Sequence, residues 1–356
     1  MGGQKGIALF YKYLAAFVQL TCLTIKSNSA TEKYEVLNVL PNASSRYINP
    51  FVYFQVRKYI QQKQITHILF EHPYYAWLIM LIQRTTRCKV IVHAHNIEAE
   101  RFKSIGKAWW KLLWYYERLA FSKADQIWFK TSNDRLYDQQ VYQLPSLKCK
   151  IIPYGVELDQ IPANETLAQA CDKVKHRHAI HKEELVVLFN GTLSYKPNLD
   201  ALMDILQEIN PRLIEKNIPY KIIICGRSLP EHLQKLEKWK EKNIIYCGFV
   251  EDIDEYFMAS DIFLNPLTDG GGIKTKLVEA LGFGKLCISS VNGAIGVDAA
   301  YTNGRLVIVE DGNWNAYINA IITWKNNKLT DDNHEFYKYF AWKNIANLAS
   351  KFVEEL

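Results

Sequence analysis

The segment NPLTDGGGIKTKLVEALGFGKLCISS, residues 265–290, holds the residue types best suited to binding a charged ligand. Gly270, Gly271 and Gly272 lack a Cβ atom, so a ligand can approach their backbone closely. A helix that begins near Ile273 would direct its free N–H groups and the positive end of its dipole toward a phosphate. The glycine run therefore predicts an anion site.

Two lysines and a glutamate follow these glycines. Lys274 and Lys276 would lie in the first helical turn, where cations are disfavoured unless an anion is bound. Glu279, three residues after Lys276, lies on the same helix face and can accept hydrogen bonds from ligand hydroxyls. The pattern predicts a site for a phosphorylated ligand that carries hydroxyls. The alternative is a capped helix with a Lys276–Glu279 surface pair.

A second candidate cluster lies in KVIVHAHNIEAER. His93 and His95 are two residues apart at a strand end, so their side chains point to the same side. Asn96, Glu98 and Arg101 follow directly. A polar cluster at the carboxyl end of a strand is a site candidate, whereas a single histidine there would more often be a hydrogen-bonded core residue.

Glycine turns also follow other strands of the second half. FNGTLSYKPNLDAL places Gly191 in a strand-to-helix turn and Lys196 at the edge where open α/β sheets bind ligands. CGRSLP and CGFVED repeat the strand-then-glycine pattern. Four successive strands would therefore end in polar or glycine-bearing loops at one sheet edge.

The elements that must position these residues are short β-rich runs alternating with amphipathic stretches. Continuous Val, Ile and Leu runs are typical of parallel strands covered on both faces. Two such series predict two doubly wound α/β domains, with the boundary just after IIPYGVELD. The predicted strands are 21–26, 65–70, 89–94, 126–129, 150–153, 185–190, 220–225, 243–246, 262–264, 286–289 and 306–309. The predicted helices of the second half are 198–215, 230–241, 273–283, 314–325 and 333–356.

Composition and missing motifs exclude several classes of protein. The 356 residues are 49% hydrophobic and 22% charged, an ordinary globular balance. GxGxxG after a strand, GxxxxGK[ST], HExxH and GxSxG are all absent, which argues against a dinucleotide enzyme, a P-loop nucleotidase, a zinc protease and a serine hydrolase. Seven cysteines without a CxxC pair favour a reducing compartment, and no apolar run approaches the length of a membrane span.

These motifs together resemble the retaining, nucleotide-sugar-dependent glycosyltransferases of group 1, also called family four. The resemblance covers nearly the whole chain and is strongest over 185–300, in FNGTLSYKPNLDAL, IIYCGFVEDIDEYFMASDIFLNPL, GGGIKTKLVEAL and NGAIGVD. GGQKGI, HAHNIEAER, YERLAFSKAD and IIPYGVE match more loosely. The resemblance implies a GT-B fold, two Rossmann-like domains facing a cleft, with the final helix crossing back to the first domain. It implies an acceptor-side domain over 1–155, a nucleotide-sugar domain over 156–335 and the returning helix over 336–356.

The resemblance also assigns roles to matching positions. Glu279 would bind the donor ribose, Lys276 or Lys274 the diphosphate, and His95 would lie near the transferred sugar, so that the predicted catalytic set is His95, Lys276 and Glu279. The wider donor set adds Gly2, Gly3, Gly191, Lys196, Val250, Gly270, Gly271 and Gly272. His93, Asn96, Glu98 and Arg101 form the predicted acceptor side. No metal or cofactor is implied, since basic residues and a helix N-terminus bear the leaving charge; the nucleotide sugar is a substrate.

Two departures from the family pattern leave alternatives open. Gly271 stands where many members carry the earlier of two glutamates, and the predicted glycine loop at Gly2 and Gly3 has no strand before it. The sequence therefore predicts that the first strand of the N-terminal domain, which would precede Gly2, is missing from the chain as given. The alternatives to a retaining transferase are a non-catalytic sugar-nucleotide-binding subunit and a GT-B epimerase or hydrolase of sugar nucleotides.

The charge is distributed unevenly along the chain. Residues 1–153 carry 21 Lys and Arg against 9 Asp and Glu, whereas residues 154–356 carry 22 against 28. A basic first half and the Trp-rich segment with Lys107, Lys111 and Arg118 favour an anionic acceptor or membrane surface rather than a nucleic acid. We therefore expect a glycan or lipid-linked acceptor in cell-envelope polysaccharide biosynthesis, and a cytoplasmic protein that is peripheral at the inner face of the plasma membrane. The alternative is that the helix simply packs under a sheet.

Overall fold

The computed structural model describes residues 2–28, 33–324 and 333–356, and these form two compact α/β units. The first unit comprises Met1–Gly155, Gly271–Ile273 and Trp342–Leu356, and the second comprises Val156–Gly270 and Lys274–Ala341. None of the helices in the described ranges combines the length and the hydropathy needed to span a bilayer.

The strands of the first unit form two parallel sheets. Strands β1 and β2 pair with each other, and β3 to β6 follow in the order β3-β4-β5-β6. The bounds are β1 Thr21–Ile25, β2 Glu35–Leu40, β3 His67–Glu71, β4 Lys89–Ala94, β5 Gln126–Phe129 and β6 Cys149–Ile151. The register pairs Glu71 with His93, which brings the carboxyl ends of β3 and β4 side by side. Strand β2 had not been predicted.

Seven helices accompany these two sheets. Their bounds are α1 Gly2–Leu14, α2 Phe51–Lys63, α3 Ala76–Thr85, α4 Glu98–Ser104, α5 Trp110–Lys123, α6 Ser132–Tyr137 and, at the end of the chain, α14 Trp342–Glu354. Apolar side chains of β3–β5, α2, α3 and α5 form the core, with Phe70, Ile79 and Phe121 among its members. Helix α5 buries Leu113, Glu117, Ala120 and Phe121 and leaves its opposite face in solvent.

The predicted glycine loop at Gly2 and Gly3 is wrong, because both residues lie in the first turn of α1. Phe10, Tyr11 and Leu14 of this helix are buried at helical spacing. Burial of this face outweighs the roughly 1 kcal/mol by which glycine disfavours a helix interior.

The second unit contains one six-stranded parallel sheet of order β12-β11-β10-β7-β8-β9. This is the doubly wound order, in which the first and fourth strands are central neighbours. The strands are β7 Leu185–Asn190, β8 Tyr220–Cys225, β9 Ile244–Gly248, β10 Ile262–Asn265, β11 Leu286–Ser290 and β12 Leu306–Val309. The helices are α7 Asn164–Arg177, α8 Lys196–Asp204, α9 Asn210–Glu215, α10 Ile253–Ala259, α11 Thr275–Gly282, α12 Trp314–Trp324 and α13 His334–Phe340.

The single helix predicted over 333–356 is wrong. Ala341 adopts an extended conformation between α13 and α14 and bridges to Val156, whose N–H donates to the Phe340 carbonyl at 2.8 Å. Helix α13 therefore belongs to the second unit, and α14 packs on α1 in the first.

Candidate active site

The sheet order of the second unit creates one switch point, between β7 and β10. The chain leaves these neighbouring strands toward opposite sides, and ligands of open α/β sheets bind outside the carboxyl ends at such a point. Gly191 follows β7, and the segment from Pro266 to Lys274 follows β10. Two of the predicted donor segments therefore meet where the topology favours a ligand.

Two residues of the glycine run after β10 adopt left-handed backbone conformations. Gly270 has φ +97° and Gly272 has φ +70°, values in the left-handed region that side chains disfavour. The Lys274 ammonium donates to the Gly270 carbonyl at 2.6 Å, which folds the loop over the start of α11. Lys274 itself is the N-cap residue of this helix, and no side chain caps it.

Lys276 and Glu279 form an ion pair in the first turns of α11. The Lys276 ammonium lies 2.7 Å from Glu279 Oε2, and the glutamate side chain is buried while the lysine is one-third exposed. The carboxylate is thus fixed in place by a lysine that still faces solvent. This pair was predicted, both as a ligand site and in the alternative interpretation, and its geometry is compatible with each.

Glycines allow the loops after β7, β8 and β9 to pack together. The Gly191 N–H donates to the Cys225 carbonyl at 3.0 Å, and the Gly226 N–H donates to the Gly248 carbonyl at 2.7 Å. A Cβ atom on Gly226 would lie 2.1 Å from the Gly191 carbonyl oxygen, so only glycine fits there. Val250, half-buried, follows this cluster in the loop after β9.

Lys196 exposes most of its side chain to solvent. It begins α8 and forms an ion pair with Asp200 one turn later. Its position after the β7 loop is the predicted one, although its ammonium is directed along its own helix.

The sequence analysis missed a polar group at the carboxyl ends of β10 and β11. Asn265 donates through Nδ2 to Ser289 Oγ and to the Gly293 carbonyl, both at 2.9 Å. A Cβ on Gly293 would lie 2.6 Å from Asn265 Nδ2 and from Ser289 Oγ. The signal was available, since an Asn and two Ser end the neighbouring strands β10 and β11.

In the first unit, His93 and His95 converge on one carboxylate that the sequence analysis overlooked. Glu71, the last residue of β3, lies 3.1 Å from His93 Nδ1 and 2.5 Å from His95 Nε2. The centroids of these two imidazole rings lie 4.8 Å apart, and the His72 ring lies 4.6 Å from that of His95 in a tilted arrangement. The expectation that His93 and His95 share a side is met by this geometry.

The burial of this cluster sets its ionisation. Burial lowers the pKa of His93 to about 3, with Lys130 acting in the same direction and Glu71 opposing. Burial also lowers the pKa of His95. Although burial opposes it, the two histidines hold the pKa of Glu71 well below its usual value. At neutral pH the cluster therefore holds an ionised carboxylate and two neutral rings.

Glu71, His93 and His95 also form the one group of possible metal ligands in the described residues, with ligand atoms within 4.8 Å of one another. In the present geometry both rings face Glu71 with a nitrogen at hydrogen-bonding distance, and buried Lys130 adds a positive charge nearby. A hydrogen-bonded network accounts for the arrangement without a cation.

Glu98 and Arg101 are brought together, but they satisfy each other. Arg101 donates to Glu98 Oε2 from Nε at 2.8 Å and from Nη2 at 2.5 Å, and the Tyr74 hydroxyl donates at 2.7 Å. Although burial opposes it, His72, Arg101 and Tyr74 lower the pKa of Glu98 to about 2. Asn96 lies next to Gly272, which belongs to the same unit. A Cβ atom added to Gly272 would lie 2.0 Å from Asn96 Oδ1.

Comparison with known proteins adds a family to this geometry. Residues 184–327 match the family model described as "Glycosyl transferases group 1", and residues 2–160 match that described as "Glycosyltransferase Family 4". Two Rossmann-like units with parallel sheets define the class as a GT-B protein, as predicted. The two halves of the chain thus each match a glycosyltransferase domain family.

Similar proteins span nearly the same fold. HepE from Anabaena, in complex with UDP and glucose, superposes with a TM-score of 0.71 at 16% identity, covering 100% of this chain and 98% of that one. WaaG, a glycosyltransferase involved in lipopolysaccharide biosynthesis, gives a TM-score of 0.66 at 12% identity, covering 99% and 96%. An uncharacterised 44.6 kDa protein in the cps region of Klebsiella pneumoniae is 24% identical over 273 residues. That match spans 72% of this chain and 65% of the relative.

Proposed function

We propose that this protein transfers a sugar from a nucleoside diphosphate sugar to an acceptor, with retention at the anomeric carbon. The observation that carries the proposal is the switch point of the second unit, where Gly270, Lys274 and the Lys276–Glu279 pair follow β10. The match of residues 184–327 to the group 1 glycosyltransferase model supports the same chemistry.

The charge that develops on the leaving diphosphate determines what this site must do. Backbone N–H groups at the start of α11 and the ammonium groups of Lys274 and Lys276 would stabilise it, and each fixed donor of this kind is worth about 3 kcal/mol. Glu279, buried and oriented by Lys276, would accept hydrogen bonds from the ribose hydroxyls. Gly191, Lys196 and Val250 complete the proposed donor set, and the nucleotide is a substrate rather than a cofactor.

His95 would act on the sugar rather than on the phosphate. A neutral imidazole backed by a carboxylate can accept a hydrogen bond from a sugar hydroxyl and lower the energy of nearby positive charge. No protein nucleophile emerged from the sequence, so we propose a front-face route in which diphosphate departure and acceptor attack occur on the same face. An inverted product would contradict this part.

The acceptor side is assigned to the first unit. We propose an envelope glycan or a lipid-linked saccharide as acceptor, at the inner face of the plasma membrane. The support is indirect: the cps-region relative, the lipopolysaccharide role of WaaG, and the basic first half of the chain. Asn96, Glu98 and Arg101 remain the proposed acceptor-side residues.

A thermal-shift panel of UDP-, GDP-, ADP- and dTDP-sugars tests the donor site. A ligand present at about 100 times its dissociation constant stabilises the native state by about 2.7 kcal/mol. We expect one nucleotide to shift the wild type and Lys276→Ala to lose most of that shift. Lys338→Ala is the matched control, because Lys338 forms a similar i,i+3 pair with Glu335 on α13 of the same unit.

The outcomes separate the alternatives. A shift that Lys276→Ala retains in full would contradict the assigned diphosphate site. A shift without turnover, with any acceptor, would indicate a non-catalytic sugar-nucleotide-binding subunit. Turnover of the donor that needs no acceptor would indicate an epimerase or hydrolase.

A further inference from the structure

Glu71 is placed to control the state of His95, the residue proposed to contact the transferred sugar. Glu71 is the last residue of β3. Its Oε1 lies 3.1 Å from His93 Nδ1 in β4, and its Oε2 lies 2.5 Å from His95 Nε2, just after β4. All these residues belong to the first unit. The proposed function uses this carboxylate only as a group behind His95 and does not say which ring nitrogen of His95 carries the proton.

The hydrogen bonds fix which ring nitrogens carry protons. An ionised carboxylate only accepts, so each neutral imidazole must donate to it. His95 must therefore be protonated on Nε2, which leaves Nδ1 with the lone pair. His93 must be protonated on Nδ1, and its Nε2 is buried without a hydrogen-bond partner among the described residues.

Groups from every neighbouring element hold this arrangement. Lys130, which follows β5, is buried, and burial lowers its pKa to about 8 while Glu71 opposes that shift. Tyr11 of α1 is buried and Cys22 of β1 is half-buried near the carboxylate, and burial together with Glu71 raises the pKa of each. The His72 ring, just after β3, contacts the His95 ring in a tilted arrangement. The charges of Glu71 and Lys130 thus offset each other around two neutral rings.

We propose that Glu71 is a positioning residue that holds His95 in its Nε2-protonated tautomer, leaving Nδ1 as the atom that accepts a hydrogen bond from a hydroxyl of the transferred sugar. The catalytic part of this inference rests on the proposed function, whereas the tautomer assignment does not. Metal binding by Glu71, His93 and His95 is the competing use of the same atoms.

The first test reads the tautomers by ¹⁵N NMR of the histidine rings, without any substrate. In the wild type we expect His95 protonated on Nε2 and His93 on Nδ1. In Glu71→Gln the amide offers one accepting oxygen and one donating nitrogen, so one of the two rings must reverse its tautomer or lose its bond. Glu35→Gln is the control, since it removes an exposed carboxylate, paired with Lys63, from the same unit.

The second test follows turnover of the donor identified in the thermal-shift panel. We expect Glu71→Gln to lower kcat at least tenfold while the nucleotide-induced thermal shift is retained, and Glu71→Asp to recover part of kcat. A pH–rate profile should change shape in Glu71→Gln, which a merely structural loss of active protein would not produce.

Each result has a distinct meaning. Wild-type His95 protonated on Nδ1, or both rings keeping their tautomers and their hydrogen bonds in Glu71→Gln, would overturn the assignment. Stoichiometric Zn²⁺ or Mn²⁺ binding that shifts the His93 and His95 signals and raises turnover would also overturn it, in favour of a metal site. If the tautomers are as assigned but the wild type turns over no donor, the proposed function fails and the tautomer assignment stands.

Discussion

The first unit buries several ionisable side chains, and Glu117 of α5 shows how specific partners hold one of them. Glu117 accepts from the N–H groups of Glu98 and Ala99 and from the Tyr142 hydroxyl. Burial raises the pKa of Glu117 to about 7 despite these bonds. The protonation of such groups depends on packing, so acid should affect the stability of this unit.

His93 gives that expectation a sign. Its pKa is about 3 in the folded protein and about 6.5 when unfolded, so the unfolded chain binds more protons at His93 and the His93 contribution to stability falls as pH falls below about 6.5. From about pH 7 to about pH 5 this contribution should fall by about 2 kcal/mol, whereas Glu117, whose raised pKa favours the folded state in acid, opposes the loss. Over this range Glu71 stays ionised in both states, while His95, whose pKa is also lowered, adds to the loss.

Urea unfolding followed by tryptophan emission measures this dependence, because Trp128 packs edge-on against His93 at 6.0 Å. Between about pH 7 and about pH 5 we expect His93→Gln, which cannot titrate but can still donate to Glu71, to lose about 2 kcal/mol less stability than the wild type. An equal dependence in both proteins would show that His93 is not buried as a neutral ring.

At the residue scale, the sequence predicted contacts between residues of one short segment. It did not predict contacts between residues that strand pairing brings together. Lys276 and Glu279, or His93 and His95, are close in sequence, so helix and strand periodicity relates them. Glu71 is 24 residues before His95 and ends an apolar strand, HILFE, that predicts only burial. Its role depends on the β3–β4 pairing, which local sequence does not specify.

At the scale of elements, most strands were predicted closely, whereas helix continuity was not. The helix predicted over 198–215 contains a π-helical segment, Ile205–Ile209, just before Pro211. Pro211 has no N–H to donate, so the helix widens there instead of breaking.

The α-helix predicted over 230–241 is wrong for a different reason. The segment Glu231–Trp239 consists of short 3₁₀ turns separated by a kink at Gln234, Lys235 and Leu236, whose φ values are positive. Its buried residues, Leu233, Leu236 and Trp239, recur every third position, a spacing that also suits α-helices. Periodicity alone therefore could not distinguish the two.

Helix α1 shows how an element that begins with glycines is stabilised by packing. Phe10 is fully buried, with its ring 5.2 Å from His93, 6.1 Å from Trp128 and 6.2 Å from Trp342 of α14. We expect Phe10→Ala to lower the unfolding free energy of the first unit by about 3–5 kcal/mol, since it leaves a cavity among large rings.

Urea denaturation at neutral pH checks the size of this loss. Phe17→Ala is the control, because Phe17 follows the same helix and is exposed, and it should change stability by less than about 0.5 kcal/mol. A loss below about 1 kcal/mol for Phe10→Ala would mean that α1 does not dock on these rings.

At the scale of the whole molecule, the division of charge follows the division into units. The basic first half of the sequence builds most of the first unit, and the more acidic second half builds the second. The sequence of helix α5 was compatible with a membrane surface or with packing under a sheet, and the structure has features of both. Leu113 and Phe121 are buried in the core, whereas Leu112 and Tyr115 are 74% and 67% exposed. Exposed aromatic and aliphatic side chains beside lysines are typical of a surface that contacts the headgroup region of a bilayer.

This surface leads to a prediction about membrane association. Lys107 and Lys111 are exposed next to Trp109, Leu112 and Tyr115. We expect the protein to sediment with vesicles containing phosphatidylglycerol and to bind pure phosphatidylcholine vesicles weakly. Binding should weaken with added salt, because salt screens attraction between exposed charges and lipid headgroups.

A charge-reversal pair tests whether this helix is responsible. Replacing both lysines, Lys107→Glu and Lys111→Glu, should lower vesicle affinity at least tenfold, since each basic residue near an anionic surface contributes about 1 kcal/mol and reversal replaces attraction with repulsion. Lys238→Glu with Lys240→Glu makes the same change of charge at exposed positions of the second unit, and it should have little effect if binding is local to α5. Equal losses in both double variants would instead attribute association to net charge, and vesicle binding that ignores salt and anionic lipid would contradict a peripheral electrostatic contact altogether.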